Sequence, residues 1–322
     1  MSDARPLPRR SWAGRIIGTV TGLAVVGVLI NLVSGSAVLA ALHRAAVWLP
    51  VVFAFEGGML ACETFALWLL YQDDRHALSA SDMARAALAG YPPMVLLPAG
   101  RAIAEAYRAS ILARRTSAHR AAAAAVLMQA VLLLATAVVS LLCAGATFIA
   151  LGPGSLPAFM AGNAVLTGVL GGAILAGGRR SRIGAWLARR WERIRSGPEF
   201  DAALISSAFP WKPLLVTSAA RVLQAAELAV LIFAVSGHTS IVRGFIAEGL
   251  HLVGATAGDL IPAQMGASEA AYALWAAALG LAPAGALAIA LLAHVTQAVW
   301  ALIGSAAQVL FSIGPAQPRT QP

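Results

Sequence analysis

Two short stretches place chemistry in a chain that is otherwise strongly apolar. The first, "LLPAGRAIAEAYRAS" (Leu96–Ser110), sets Arg101, Glu105 and Arg108 at i, i+4 and i+7, so one helix face presents plus, minus, plus. Pro98 and Gly100 stand just before them, where one helix can end and another begin. The new N-terminus would offer unpaired N–H groups and a positive dipole beside Arg101, a natural seat for an anion. A self-satisfied ion-pair ladder that only holds the segment together is the plainer alternative. The second stretch, "DLIPAQMGASEA" (Asp259–Ala270), carries Asp259, Gln264 and Glu269, with Pro262 and Gly266 as helix breakers. A returning helix would begin at Ser268 or Glu269. A carboxylate in a first turn is favourable with the dipole, so capping alone could explain Glu269. Three polar side chains this close exceed what a cap requires. Glu269 is therefore expected to face one cavity with Arg101 and Arg108 and to pair with an arginine.

These are not the only charges in apolar surroundings. Glu56, Glu63, Glu105, Glu227, Glu248, Asp259 and Glu269 lie in or beside apolar runs, as do Arg101, Arg108 and Arg221. An isolated charge at mid-bilayer costs at least about 2.5–3.5 kcal/mol. Ten such residues require mutual pairing or access to water. Glu56 and Glu63 share a helix face, with Gly57–Gly58 permitting close packing, and Arg221 or Arg108 are their candidate partners.

The elements that must position these residues are membrane helices. Hydrophobic residues make up 59% of the 322 and charged ones 11%, against about 25% charged in a soluble domain. Apolar stretches suited to crossing a bilayer are 14–33, 47–70, 121–150, 157–177, 213–236 and 284–311. The segments 86–112 and 244–281 are interrupted and read as helical hairpins that enter the membrane and return to the same side. Their broken backbone is tolerable only if buried in protein or lining a wet cavity. The fold class is all-α: a polytopic integral membrane protein with about six full spans plus two re-entrant broken hairpins. The apolar run Ile16–Val33, about 18 residues, exceeds a cleaved signal's core and reads as an uncleaved span.

Charge supports the hairpins. With the N-terminus inside, eighteen basic residues outside the apolar segments fall on the cytoplasmic side, and only Arg44 and Arg243 fall outside. If either interrupted segment crossed fully, that bias would collapse. The net charge of +9 thus reads as orientation rather than nucleic-acid binding. The chain reads as one unit, 1–322, with a cytoplasmic tail 1–13, a basic cytoplasmic connection 178–212 and a C-terminal tail 312–322, also cytoplasmic. Within the connection, Ile183, Trp186, Leu187, Trp191 and Ile194 recur at helical spacing among arginines, as in a helix lying at the inner interface. Cys62 and Cys143 imply no disulfide framework. One broken hairpin in each half, entering from opposite sides, is the pattern of transporters built on inverted repeats.

At these motifs the sequence resembles the lysylphosphatidylglycerol synthase transmembrane-region family, a flippase-like membrane domain. "PAGRAIAEAYR" is similar to the family's "PGR-x-GE/D-x-x-R" element through Pro98, Gly100, Arg101, Glu105 and Arg108. "PAQMGASE" is similar to "PGGLGVRE" through Pro262, Gly266 and Glu269. Ala102 and Ala104 stand where glycine is common, and Ala99 separates Pro98 from Gly100. Ser268 replaces a usual arginine, and His294 stands where a later arginine often lies. These departures imply a headgroup contact unlike that of relatives. No aminoacyl-transferase domain is read after Phe311, so lysyl transfer is not expected from this polypeptide.

The resemblance implies a lipid flippase or transporter of a bacterial cell membrane, with a polar lipid as partner. Arg101 and Arg108 would hold the headgroup, aided by Glu105, Glu269, Asp259, Gln264 and Arg221. A second class is an intramembrane enzyme acting on phospholipid, hopanoid or lipid-linked glycan, using Asp259, Glu269, His251 and His294. A third is an accessory subunit of such an enzyme. No nucleotide loop or metal motif is present in the sequence, and no cofactor or nucleic-acid partner is expected. An enzyme is the lesser expectation.

Overall fold

A computed structural model describes residues 35–180, 197–205, 209–259, 261, 264 and 266–313. The tail 1–13, the span 14–33, the arginine-rich stretch 181–196, Pro262 and residues 314–322 lie outside the described residues. Every described element is helical.

Helix α1 (Gly35–Ala45) runs through a 3-10 turn (Ala46–Trp48) into α2 (Leu49–Leu70). The sequence suggested a connection here, with a span starting near residue 47. Instead Ala, Leu and Val sustain helix, and Pro50 falls in the first turn of α2, where its missing N–H is harmless. Arg44 therefore sits on a helix rather than in a loop.

Helix α3 (Ala80–Leu96) starts at a capping box. Ser79 Oγ accepts from the Asp82 N–H at 3.1 Å, and Asp82 Oδ2 accepts from the Ser79 N–H at 3.2 Å. Pro92 and Pro93 lie inside α3 and cannot donate to the Leu88 and Ala89 carbonyls. The last long helix, α11 (Pro283–Ile313), covers this defect. Gln308 Nε2 donates to the Ala89 carbonyl at 2.9 Å, and Gly304 leaves room for the Leu88 carbonyl, which a Cβ would meet.

Helix α4 (Gly100–Leu112) follows the break at residues 97–99. Then come α5 (Ala118–Leu151), α6 (Ser155–Arg180), α7 (Gly197–Ile205) and α8 (Trp211–Ser236). Helix α9 (Ile241–Gly258) ends at the second break, and α10 (Ala267–Leu274) follows it. A 3-10 turn (Ala276–Leu279) leads on to α11.

Five described stretches are long and apolar enough to cross a membrane: 35–70, 118–151, 155–178, 211–236 and 283–310. They cover the expected spans other than 14–33. The protein is a polytopic membrane protein, and its exposed large side chains fit a lipid-facing surface. Leu141, Ile149 and Phe159, for example, are 62%, 85% and 55% exposed.

Two apolar cores occupy opposite ends of the helices. One gathers Val52, Val139, Cys143, Leu231, Leu250 and Tyr272 among others. The other gathers Leu67, Leu70, Met83, Leu112, Met128 and Leu204 among others. Both arms of the α3–α4 hairpin contribute to the second core, and both arms of α9–α10 contribute to the first. Helices α2 and α8 pack together between the halves. The first arm of each hairpin (α3, α9) packs on the long helix of the other half (α11, α5). The second arm (α4, α10) packs on the long helix of its own half (α5, α11).

Candidate functional site

Between the two cores the long helices turn polar. On α2, Glu56 and Glu63 fall between Val52 of one core and Leu67 of the other; on α5, Gln129 and Thr136 fall between Ala124 and Val139. Arg221 and Gln224 of α8 and Gln297 of α11 lie at the same level. Together with both helix breaks they line a cavity of about 440 Å³ near the middle of the spans, within the range of small-molecule sites.

The breaks meet at this cavity. Helix α3 ends with Leu97 extended, and Ala99 takes the left-handed conformation at φ 51° before α4 begins at Gly100. Only glycine fits at position 100, because a Cβ would overlap the carbonyls of Pro93 and Met94. The Ala99 N–H donates to the Asp259 carbonyl at 2.8 Å, which ties the first break to the second. Gln264, on the cavity wall, is also left-handed at φ 55°. Two strained residues at the junction of two breaks mark a place where the surrounding packing overrides local preference.

Arg101 opens onto the cavity from the first turn of α4. Its Nη1 lies 3.3 Å from Glu63 Oε1, and its side chain is 29% exposed. Arg221 is buried, and its Nη1 donates to Gln224 Oε1 at 2.7 Å. Glu56 accepts a short hydrogen bond from the Tyr91 hydroxyl. The expected partners of the two glutamates thus change: Glu63 takes Arg101 and Glu56 takes a tyrosine, while Arg221 and Arg108 bind neither. Gly57 and Gly58 admit the Trp300 ring and Leu223, as their small size suggested. Two polar atoms on the cavity wall, Arg221 Nε and Gln129 Oε1, are buried without a hydrogen-bond partner.

Arg101, Arg221, Asp259 and Gln264 therefore converge on one space, with Gly100 at its edge. Glu105, Arg108 and Glu269 do not line it. Arg108 Nη1 pairs with Glu105 Oε1 at 2.7 Å inside the hairpin, and the side chains are only 2% and 5% exposed. Arg108 shares a helix face with Arg101 but stands about 10 Å further along the axis. Gly90 of α3 opens the slot it fills, since a Cβ there would come within 2.6 Å of Arg108 Nε. Glu269 departs further from expectation. Its Oε2 accepts from the Gly266 N–H at 2.8 Å, and its Oε1 lies 3.0 Å from His294 Nε2. That second contact is close but not aligned as a hydrogen bond, and no arginine is involved. Gly266, at φ 87°, turns the chain so that α10 starts at Ala267, one residue earlier than expected, and this aims the third-position carboxylate back at the break.

Sequence reasoning missed Tyr91, Gln129, Thr136, Gln224 and Gln297 as wall residues. Each is a polar side chain inside an apolar helix, and Gln224 and Gln297 follow Arg221 and His294 by three residues, so the signal existed. His251, weighed only for an intramembrane enzyme, also lines the cavity. Among the described residues, no group of three or more His, Cys, Asp or Glu is placed to hold a metal ion.

The family model of the lysylphosphatidylglycerol synthase TM region matches residues 15–304 of the 322. The chain belongs to that family. The match includes both breaks, all five described spans nearly in full and the whole cavity lining. It also links the chain to the membrane region of a phospholipid-modifying synthase. No curated protein and no solved structure gives a significant match.

Proposed function

We propose that this member of the lysylphosphatidylglycerol synthase TM-region family is a lipid flippase of the cell membrane that carries a polar headgroup through the cavity. The observation behind this reading is the cavity itself. A partly exposed Arg101 and an under-bonded Arg221 face this space at mid-span, where charges do not persist unless they are paired or wet. A headgroup phosphate fits between these arginines, beside the free N–H groups at the start of α4. Glu63 holds Arg101 while the site is empty and yields it to the phosphate. Asp259 and Gln264 supply the second break's share of the contacts. Glu105–Arg108 and Glu269–His294 brace the two hairpins behind them.

The acyl chains stay in the bilayer. Leu166 and Leu170 line the cavity yet are 49% and 47% exposed on α6, so only a thin apolar wall separates headgroup and lipid there. Alternating access follows if the halves form an inverted repeat, with α2–α5 related to α8–α11. The reciprocal packing of α3 on α11 and α9 on α5 supports that reading. In the same reading both hairpins are re-entrant, residues 1–322 form one unit, and both termini are cytoplasmic.

The test is reconstitution of the purified chain in vesicles with a headgroup-labelled phospholipid and a membrane-impermeant quencher. Transbilayer movement faster than in empty vesicles is the expected result. Arg101→Ala and Arg221→Ala should each slow it by about tenfold or more, the weight of one charge-assisted hydrogen bond. Covalent change of the lipid without movement would favour an enzyme instead.

A further inference from the structure

Two carboxylates lie beside the cavity but outside it. Glu227 on α8 follows the cavity residue Gln224 by three positions and is 3% exposed. Glu248 on α9 precedes the cavity residue His251 by three positions and is fully buried. Their chain neighbours Leu228, Ala247 and Leu250 belong to the first apolar core. Neither oxygen of Glu248 has a hydrogen-bond partner, nor does Glu227 Oε2. Among the described residues, no arginine, lysine or histidine forms an ion pair with either.

The groups around the pair come from every helix packed on α8 and α9. Glu56 on α2 is an electrostatic neighbour of both carboxylates and also lines the cavity. Arg221 on α8 and Arg101 on α4 act on Glu248 from the cavity side, but they are held by Gln224 and Glu63. Cys143 on α5 and Tyr272 on α10 adjoin Glu248, and the tyrosine donates its hydroxyl to the Ala247 carbonyl at 3.0 Å instead. His251 of α9 faces the cavity, and His294 of α11 is engaged with Glu269. His43 and Arg44 of α1 are exposed, and α6 brings no titratable side chain to this level. Two ionised carboxylates in such a place would each carry a desolvation cost of several kcal/mol, with no ion pair and no full set of hydrogen bonds to offset it. One ligand removes that cost without needing space.

We propose that Glu227 and Glu248 form a proton-binding site, separate from the headgroup cavity, that exchanges its proton with cavity water by way of Glu56. The pair carries at least one proton at neutral pH. Loss of that proton places a negative charge behind Arg101 and Arg221 and competes for them with a headgroup phosphate. Proton occupancy and lipid binding are thereby linked. Only this linkage rests on the transport reading; the proton site does not.

The test takes the full chain in lipid nanodiscs and records infrared spectra at neutral pH, where exposed glutamates with pKa of about 4.3 are ionised. A band from protonated carboxyl groups is expected, and Glu248→Gln and Glu227→Gln should each diminish it. Glutamine mimics the protonated acid in size, and an unchanged elution profile verifies folding. Absence of the band, or a band that neither variant alters, overturns the site. In vesicles, a gradient of about one pH unit should change the wild-type rate by up to about tenfold and leave Glu248→Gln unmoved. A wild-type rate indifferent to the gradient overturns the linkage. Vesicles in which no lipid moves overturn the transport reading, and the infrared band still decides the proton site.

Discussion

The N–H of Ala99 donates to the carbonyl oxygen of Asp259 at 2.8 Å, joining residues 160 positions apart at the tips of two broken hairpins. A helix break frees backbone groups that apolar surroundings cannot satisfy, and here each break satisfies part of the other. The bond also fixes the distance between Arg101, two residues after Ala99, and the wall formed by Asp259 and Gln264. Any motion that opens the cavity between the hairpins must lengthen this bond.

The left-handed backbone of Ala99 gives the first prediction. A non-glycine residue there carries about 1 kcal/mol of strain. Ala99→Gly relieves it and keeps the N–H donor, so thermal unfolding in detergent should shift upward by a few degrees. An unchanged or lower midpoint would mean that the strain is already absorbed elsewhere.

Arg101 and Arg108 should separate stability from function. Arg108→Ala leaves Glu105 buried without its partner and should cost about 3–5 kcal/mol, seen as loss of folded protein on heating. Arg101→Ala leaves Glu63 on the cavity wall, where water can reach it, and should lower the unfolding midpoint less than Arg108→Ala does. The reverse order would place the ligand-facing arginine inside the hairpin.

Glu269 and His294 should act as one unit. Glu269→Gln and His294→Gln each break the same contact, so the double variant should lose less stability than the two single losses added. A double-mutant cycle should return a coupling on the order of 1 kcal/mol. Additive losses would show that Glu269 serves the second break through its bond to Gly266 alone.

The orientation proposed from charge is open to labelling. In a variant with Cys62 and Cys143 replaced by alanine, Arg114→Cys should react only from the cytoplasmic face and Thr239→Cys only from the outer face. Both side chains are exposed. The two sites exchanging faces would show that the first interrupted segment crosses completely, and labelling from one common side would show that the stretch between them does not cross three times.

Some of this was legible in the sequence because it depends on neighbours along the chain. Five spans announce themselves by apolar length, since a bilayer-crossing helix must satisfy its own backbone. The breaks at Pro98–Gly100 and Gly266 announce themselves because a missing donor, or a backbone that only glycine tolerates, acts within one turn. That charges in such a chain must be paired or wet also follows from composition. The choice of partner did not, because it depends on how each helix is rotated and how far it slides against the next. Register set Arg101, rather than Arg221 or Arg108, beside Glu63, gave Glu56 to Tyr91, and brought His294 to a glutamate expected to meet an arginine. It also placed Gln308 over a carbonyl that Pro93 had left without a donor 219 residues earlier. Arg108 lies on the face the sequence indicated yet reaches no cavity, because the space ends near the break and seven residues of helix carry it about 10 Å away. Local chemistry determined where the helices break and which residues are charged; only the packing of distant helices decided which of those charges face water.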